Sequence, residues 1–263
     1  MNEEGPFHEL STEDIERALV DGHWRYGSLI HLRTAEALVG VLAGERDPEA
    51  THILFSRLFG EYAATLETFA AWAWAMRNRF ERGSFLDAYL GYRNHDVGEF
   101  YALVREHDGD LSDLLRLPPA EQLVELGMER DAELPREGYS DSLRALYDRL
   151  KEAAEAYFAT DRVIVDAYNK TKHGAPMLRL FEPNDERKFE IVMRVRNPSD
   201  HDPRPYRFSA FTVSPDEIEK QRNNVEIMTD HIRDLASVTK MLLDADALYV
   251  YVRSNDEETE PEA

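Results

Sequence analysis

The segment that ends in DAYNKTKHG carries side chains that could bind an anion and transfer a proton. Because an α-helix turns about 100° per residue, four polar side chains would share an arc of roughly 60° on one helix, with a lysine at its edge. They are Arg162, Asp166, Asn169 and His173, with Lys170 at the edge. The arginine and lysine could hold an anion, and the aspartate could orient the histidine, whose ordinary pKa lies close to neutrality.

The same polar stripe also fits a plain solvent-facing helix surface. Val163 and Ala167 lie on the opposite, apolar side, and Glu152 extends the polar stripe backwards. This is the pattern of an ordinary amphipathic helix. The helix dipole would likewise favour Lys172 and His173 near the C-terminal end, with no function implied.

Positive charge is concentrated around and after this segment. Residues 170–207 contain nine Lys and Arg against six Asp and Glu, a local charge of +3 in a chain whose formal net charge is -21. The overall charge disfavours general nucleic-acid or membrane-surface binding. A local basic patch could still take a phosphate or an RNA segment, although the outward positions of ordinary strands would give the same composition.

The sequence YNKTKH, near the end of a long predicted helix, resembles the RNxxxH signature of HEPN domains. These are helical bundles found in RNA-cleaving toxins, abortive-infection proteins and nucleotide-linked defence systems. Asn169 and His173 match the signature, whereas Tyr168 stands where the family has arginine. In active members that arginine and the histidine meet across a homodimer cleft and cleave RNA without a metal.

The resemblance implies a divergent HEPN-like homodimer that binds RNA or a nucleotide in a defence or stress role. The tyrosine puts nuclease activity in doubt; an active enzyme would be a metal-independent ribonuclease. His173 and Asn169 are the candidate catalytic residues. The candidate binding residues are Arg162, Asp166, Tyr168, Lys170 and Lys172. No metal ligand and no cofactor are expected.

Two other classes of function stay open. The first is a non-catalytic, homo-oligomeric interaction or scaffold protein whose long helices dimerise and whose partner is unknown. The second is a metal-dependent helical hydrolase that uses scattered Asp, Glu and His. A di-iron carboxylate bundle would need a repeated Glu-x-x-His pattern, and only Glu49 and His52 have that spacing.

Composition predicts a single folded, cytoplasmic domain. Of the 263 residues, 43% are hydrophobic, which is typical of globular proteins. The absence of cysteine excludes structural disulfides and cysteine-ligated zinc. The first residues lack the pattern of a signal peptide, and no apolar run approaches the length of a membrane span. We expect one helical domain over 1–252, no membrane association, and a disordered acidic tail over 253–263.

Hydrophobic periodicity predicts the elements that would position the site. Apolar residues recur at helical spacing over most of the chain, and at alternating spacing in one interval. The predicted long helices are 11–44, 48–82, 140–173 and 214–252, with shorter helices within 83–138. The predicted strands are 176–182, 187–196 and 205–213. The expected fold is mainly α, a bundle of long antiparallel helices with a small three-stranded antiparallel meander inserted at about 176–213, before the last helix.

Overall fold

The structure, a computed structural model, describes residues 11–158, 177–178, 188–194 and 206–244. Most of these residues are helical. The described α-helices are Thr12–Gly22 (α1), Leu29–Gly44 (α2), Pro48–Arg82 (α3), Phe85–Gly91 (α4), Asn94–Glu106 (α5), Leu111–Leu115 (α6), Ala120–Arg130 (α7), Arg136–Phe158 (α8) and Pro215–Asp244 (α9). A five-residue π-helix, His23–Gly27, follows α1.

The first helix begins as the sequence predicts but does not run unbroken to residue 44. The Ser11 hydroxyl accepts a hydrogen bond from the Asp14 amide at 3.1 Å, and the Asp14 carboxylate accepts one from the Ser11 amide at 3.2 Å. This reciprocal cap fixes the start of α1. The π-helix then interrupts the predicted helix. Its wider turn lets the His23 ring lie against Gly27, where a Cβ would be only 2.5 Å from the ring nitrogen Nδ1.

Helix α3 confirms the predicted helix over 48–82. Every residue from Phe69 to Met76 is buried, with both Trp72 and Trp74 inside. A helix stretch that is covered on all sides must be apolar all round, as this one is.

The predicted shorter helices between 83 and 138 are also present, as α4 to α7. Two arginines of α3 fix the end of α6, where Arg116 adopts a left-handed backbone conformation with φ of 52°. Arg77 donates to the Leu114 carbonyl at 2.5 Å, and the buried Arg79 donates to the carbonyls of Leu115 and Arg116 at 3.0 and 2.5 Å. These bonds satisfy carbonyls that the short helix leaves without internal partners.

The strands are Met177–Leu178 (β1), Lys188–Arg194 (β2) and Tyr206–Thr212 (β3), in the order β1-β2-β3. Strands β2 and β3 pair antiparallel along their whole length. The described β1 spans two residues, which pair with β2 at Met177↔Ile191 and Leu178↔Glu190.

The predicted fold class was therefore wrong as stated, although the chain is mainly helical. The described part does not contain a meander of three full strands. Alternating residues indicate which segments can be extended, but not how far a partner pairs with them. The predicted first strand, 176–182, starts with a proline and is followed by another at 183, and a proline has no amide hydrogen to donate to a ladder.

Residue contacts divide the chain into two compact units. Unit 1 comprises Met1–Ser28, Glu67–Glu155 and Asp230–Ala263, and unit 2 comprises Leu29–Leu66 and Ala156–Thr229. The core of unit 2 is formed by Ala35, Leu42, Phe55, Leu58, Phe59, Val213 and Val225. The single domain over 1–252 stays a prediction, and the predicted tail at 253–263 lies outside the described residues.

None of the described helices combines the length and the apolar character needed to cross a membrane.

Candidate functional site

The site predicted from the sequence lies outside the described residues. This applies to all seven of its members: Arg162, Asp166, Tyr168, Asn169, Lys170, Lys172 and His173. The basic stretch 170–207 is described only at its strand backbones. The polar stripe and the basic patch therefore stay predictions.

A cavity of about 780 Å³ lies within unit 1, and we call it the unit 1 cavity. Its wall is formed by α7 and the residue that follows it, the part of α8 from Tyr139 to Arg149, the second half of α9 and one residue of the π-helix, Trp24. Tyr139 and Arg149 line it from the same helix, ten residues apart, which is about 15 Å along the axis. Its volume falls in the range typical of small-molecule sites, about 300–1,000 Å³.

The π-helix directs Trp24 into this wall. The ring of its neighbour His23 instead stacks on Trp72, with ring centroids 4.3 Å apart. Two cations of α9 lie over the Trp24 ring, Arg233 at 5.9 Å and Lys240 at 5.6 Å from the centroid. The Trp24 face is therefore an aromatic surface that attracts positive charge.

Tyr139 supplies a second aromatic group, and Gly127 of α7 sets its position. A Cβ on Gly127 would lie 2.6 Å from two ring carbons of Tyr139, so only glycine permits this close packing. Burial raises the pKa of the Tyr139 hydroxyl, and the nearby Asp131 carboxylate raises it further. The phenol consequently stays protonated and can act as a hydrogen-bond donor.

The charged groups of the wall balance one another. Three are basic and three are acidic: Arg130, Arg149 and Lys240, and Asp131, Asp141 and Asp234. Arg149 of α8 forms an ion pair with Asp234 of α9. Lys240 pairs with Asp21 of α1 at 2.5 Å, and this hydrogen bond lowers the pKa of the Asp21 carboxyl.

A buried histidine lies beside this charged wall. His231 is 9% exposed, and its Nδ1 has no hydrogen-bond partner among the described residues. Burial, and after it the charge of the nearby Arg149, lower its pKa from 6.5 to about 4, while Asp230 opposes the shift. The ring is therefore neutral at neutral pH and offers Arg149 no negative partner.

Sequence reasoning did not identify the residues of this wall. Trp24, Tyr139, Arg149 and Asp234 are separated by up to 210 positions and come together only through the packing of three elements. No spacing pattern links them, because each wall helix contributes side chains at ordinary helical intervals. The residues that line the unit 1 cavity do not form a short sequence motif comparable to YNKTKH.

The described residues contain no group of three or more His, Asp or Glu side chains placed to hold a metal ion. The unit 1 cavity instead offers two aromatic groups, paired cations and carboxylates, and two serines. Comparison with known protein families, with curated proteins and with solved structures finds no match to this chain.

Proposed function

We propose that this chain is a divergent, cytoplasmic HEPN-like protein that binds a nucleotide in the unit 1 cavity, in a defence or stress role. The observation that carries the proposal is that Trp24, Arg149 and Lys240 line one cavity of about 780 Å³. A planar base can stack on an aromatic ring, a contact worth about 1–3 kcal/mol. A phosphate suits an arginine, which can bind it through two parallel hydrogen bonds.

Two serines of the cavity wall provide further polar contacts. The Ser142 hydroxyl donates to the Gly138 carbonyl at 2.8 Å, and the Ser237 hydroxyl donates to the Arg233 carbonyl at 2.9 Å. Each hydroxyl has used its one proton and keeps lone pairs free to accept. They are therefore suited to accept hydrogen bonds from the amino groups of a base or the hydroxyls of a sugar.

The proposed activity at this cavity is binding, not cleavage. Its described lining residues include no histidine, and the raised pKa of its tyrosine keeps the phenol protonated at neutral pH, so the phenol does not act as a base there. The competing location for a nucleotide or an RNA segment is the polar stripe that contains Asn169 and His173.

Tryptophan fluorescence tests the proposal, because Trp24 lines the cavity while Trp72 and Trp74 are buried in α3. We expect adenosine monophosphate (AMP) or guanosine monophosphate to quench the emission, and Trp24→Phe to remove the quenching. Trp24→Ala should weaken binding roughly tenfold, because a stacking contact of about 1–3 kcal/mol is lost.

Trp74→Phe is the matched control and should keep both the quenching and the affinity. If neither nucleotide binds at millimolar concentration, the proposal is contradicted. Binding that is unchanged in Trp24→Ala would move the site away from this cavity.

A non-catalytic interaction role has one observation in its favour. Ile30 and Val41 of α2 are 61% and 53% exposed. They lie on one face of the helix together with Ala37, because the three positions fall within about 40°. Exposed apolar residues on one helix face favour contact with a second copy of the chain, the homodimer expected from the sequence.

A further inference from the structure

We infer that Asp234 competes with the ligand for Arg149, so that an anionic group binds in the unit 1 cavity only by replacing this carboxylate. The inference rests on the proposed function, because it concerns the ligand of the same cavity. It identifies the ligand class as a planar ring that carries a phosphate or a carboxylate.

The ion pair joins two helices of the cavity wall. Arg149 belongs to α8 and Asp234 to α9, and both line the cavity. The side chains are 34% and 52% exposed. Asp234 is thus the more exposed partner and can turn to water, where a carboxylate is well solvated. Replacing Asp234 by an anionic ligand therefore costs little free energy, since partly exposed ion pairs contribute little to stability.

Arg149 has no second carboxylate to take over when Asp234 leaves. Asp234 is its only ion-pair partner among the described residues. The neighbouring His231 is neutral at neutral pH and cannot neutralise it. An arginine released in this way presents two parallel N–H groups, the geometry that a phosphate or carboxylate fits.

The second cation of the wall can be released in a different manner. Lys240 is held by Asp21, but Asp21 also pairs with Arg25 at 2.7 Å. When Lys240 turns to a ligand, Asp21 keeps one cation and is not left unpaired. In the free protein, Arg149 and Lys240 are thus each paired with a carboxylate. Each can leave that carboxylate to bind an incoming anion.

Replacement of Asp234 by asparagine tests the inference. Titration calorimetry with AMP and with adenosine separates the anionic contact from the contacts of the ring. We expect Asp234→Asn to raise the affinity for AMP roughly three- to fivefold, the range for a partly exposed ion pair, and to leave adenosine binding unchanged. Adding Arg149→Gln to this variant should abolish the gain.

Glu155→Gln is the matched control. It also removes a carboxylate from an exposed ion pair, Arg105–Glu155 at 2.9 Å, whose residues do not line the cavity. It should change neither affinity. An unchanged or lower AMP affinity in Asp234→Asn would overturn the inference while leaving nucleotide binding intact.

The wild-type titration separates this failure from that of the proposed function. If neither the wild-type protein nor Asp234→Asn binds AMP or adenosine, both proposals fall. If only Asp234→Asn binds AMP, the competition is confirmed and is stronger than expected.

Discussion

His231 shows how folding determines the charge of a single residue. Burial is the main cause of its lowered pKa, about 4 instead of 6.5. The unfolded chain therefore takes up a proton as the pH falls below 6.5, while the folded chain stays neutral until about pH 4. Proton uptake by the unfolded state favours unfolding, so this stabilising contribution is full above pH 6.5 and declines towards pH 4.

The expected change is measurable by urea unfolding. Between pH 7.5 and pH 5, His231 should lower the free energy of unfolding by about 2 kcal/mol. His231→Leu should remove this part of the pH dependence, because leucine does not titrate. His95→Ala is the control, since the His95 side chain is 60% exposed. A pH dependence of the same size in wild type and His231→Leu would contradict the assignment.

At the scale of elements, the contact of α7 with α8 positions one aromatic wall of the unit 1 cavity. Tyr139 packs directly on Gly127. A methyl group there would force the ring to move, and the open cavity lies beside it. The shape of the cavity thus depends on a glycine that does not line it.

Gly127→Ala tests this dependence. We expect a loss of roughly 1–3 kcal/mol in unfolding free energy, typical of overpacking, and weaker AMP binding. Adding Tyr139→Ala should recover stability, because the clash is removed. Gly40→Ala is the control: its Cβ would meet no atom within 4 Å, so it should stabilise α2 by up to about 1 kcal/mol. An unchanged free energy of unfolding in Gly127→Ala would show that the Tyr139 ring moves freely, and would contradict the claim that Gly127 sets its position.

Local signals explain which element boundaries the sequence predicts. Ser11 caps α1 as expected, and the Ser214 hydroxyl accepts from the Glu217 amide at 3.1 Å at the start of α9. Such caps involve residues three positions apart. The π-helix and the left-handed Arg116 could not be predicted, because contacts with side chains far along the chain, Trp72 and Arg79, accompany them.

At the scale of the whole molecule, the candidate site shows the limit of sequence reasoning. A helical stripe such as 162–173 can be recognised because its residues are neighbours in sequence. The unit 1 cavity combines Trp24 with residues more than 100 positions away, and only tertiary packing assembles it. The net charge of -21 likewise gave no indication of a wall with balanced charges.

Assembly of two copies through α2 is the prediction at this scale. Ile30→Asp combined with Val41→Asp should convert a dimer to a monomer in sedimentation velocity, because the charges would be buried without partners. Leu90→Asp is the control, since Leu90 is an apolar residue of α4 that is at least as exposed, at 71%. A monomeric wild-type protein, or a dimer that survives the double substitution, would contradict this role of α2.

A crystal structure of the protein with AMP tests nucleotide binding in the unit 1 cavity most directly. The expected result is density for the base against Trp24 and for the phosphate at Arg149, with Asp234 turned to solvent. Density for the nucleotide beside Asn169 and His173, with the unit 1 cavity empty, would contradict the proposed location and favour the polar stripe.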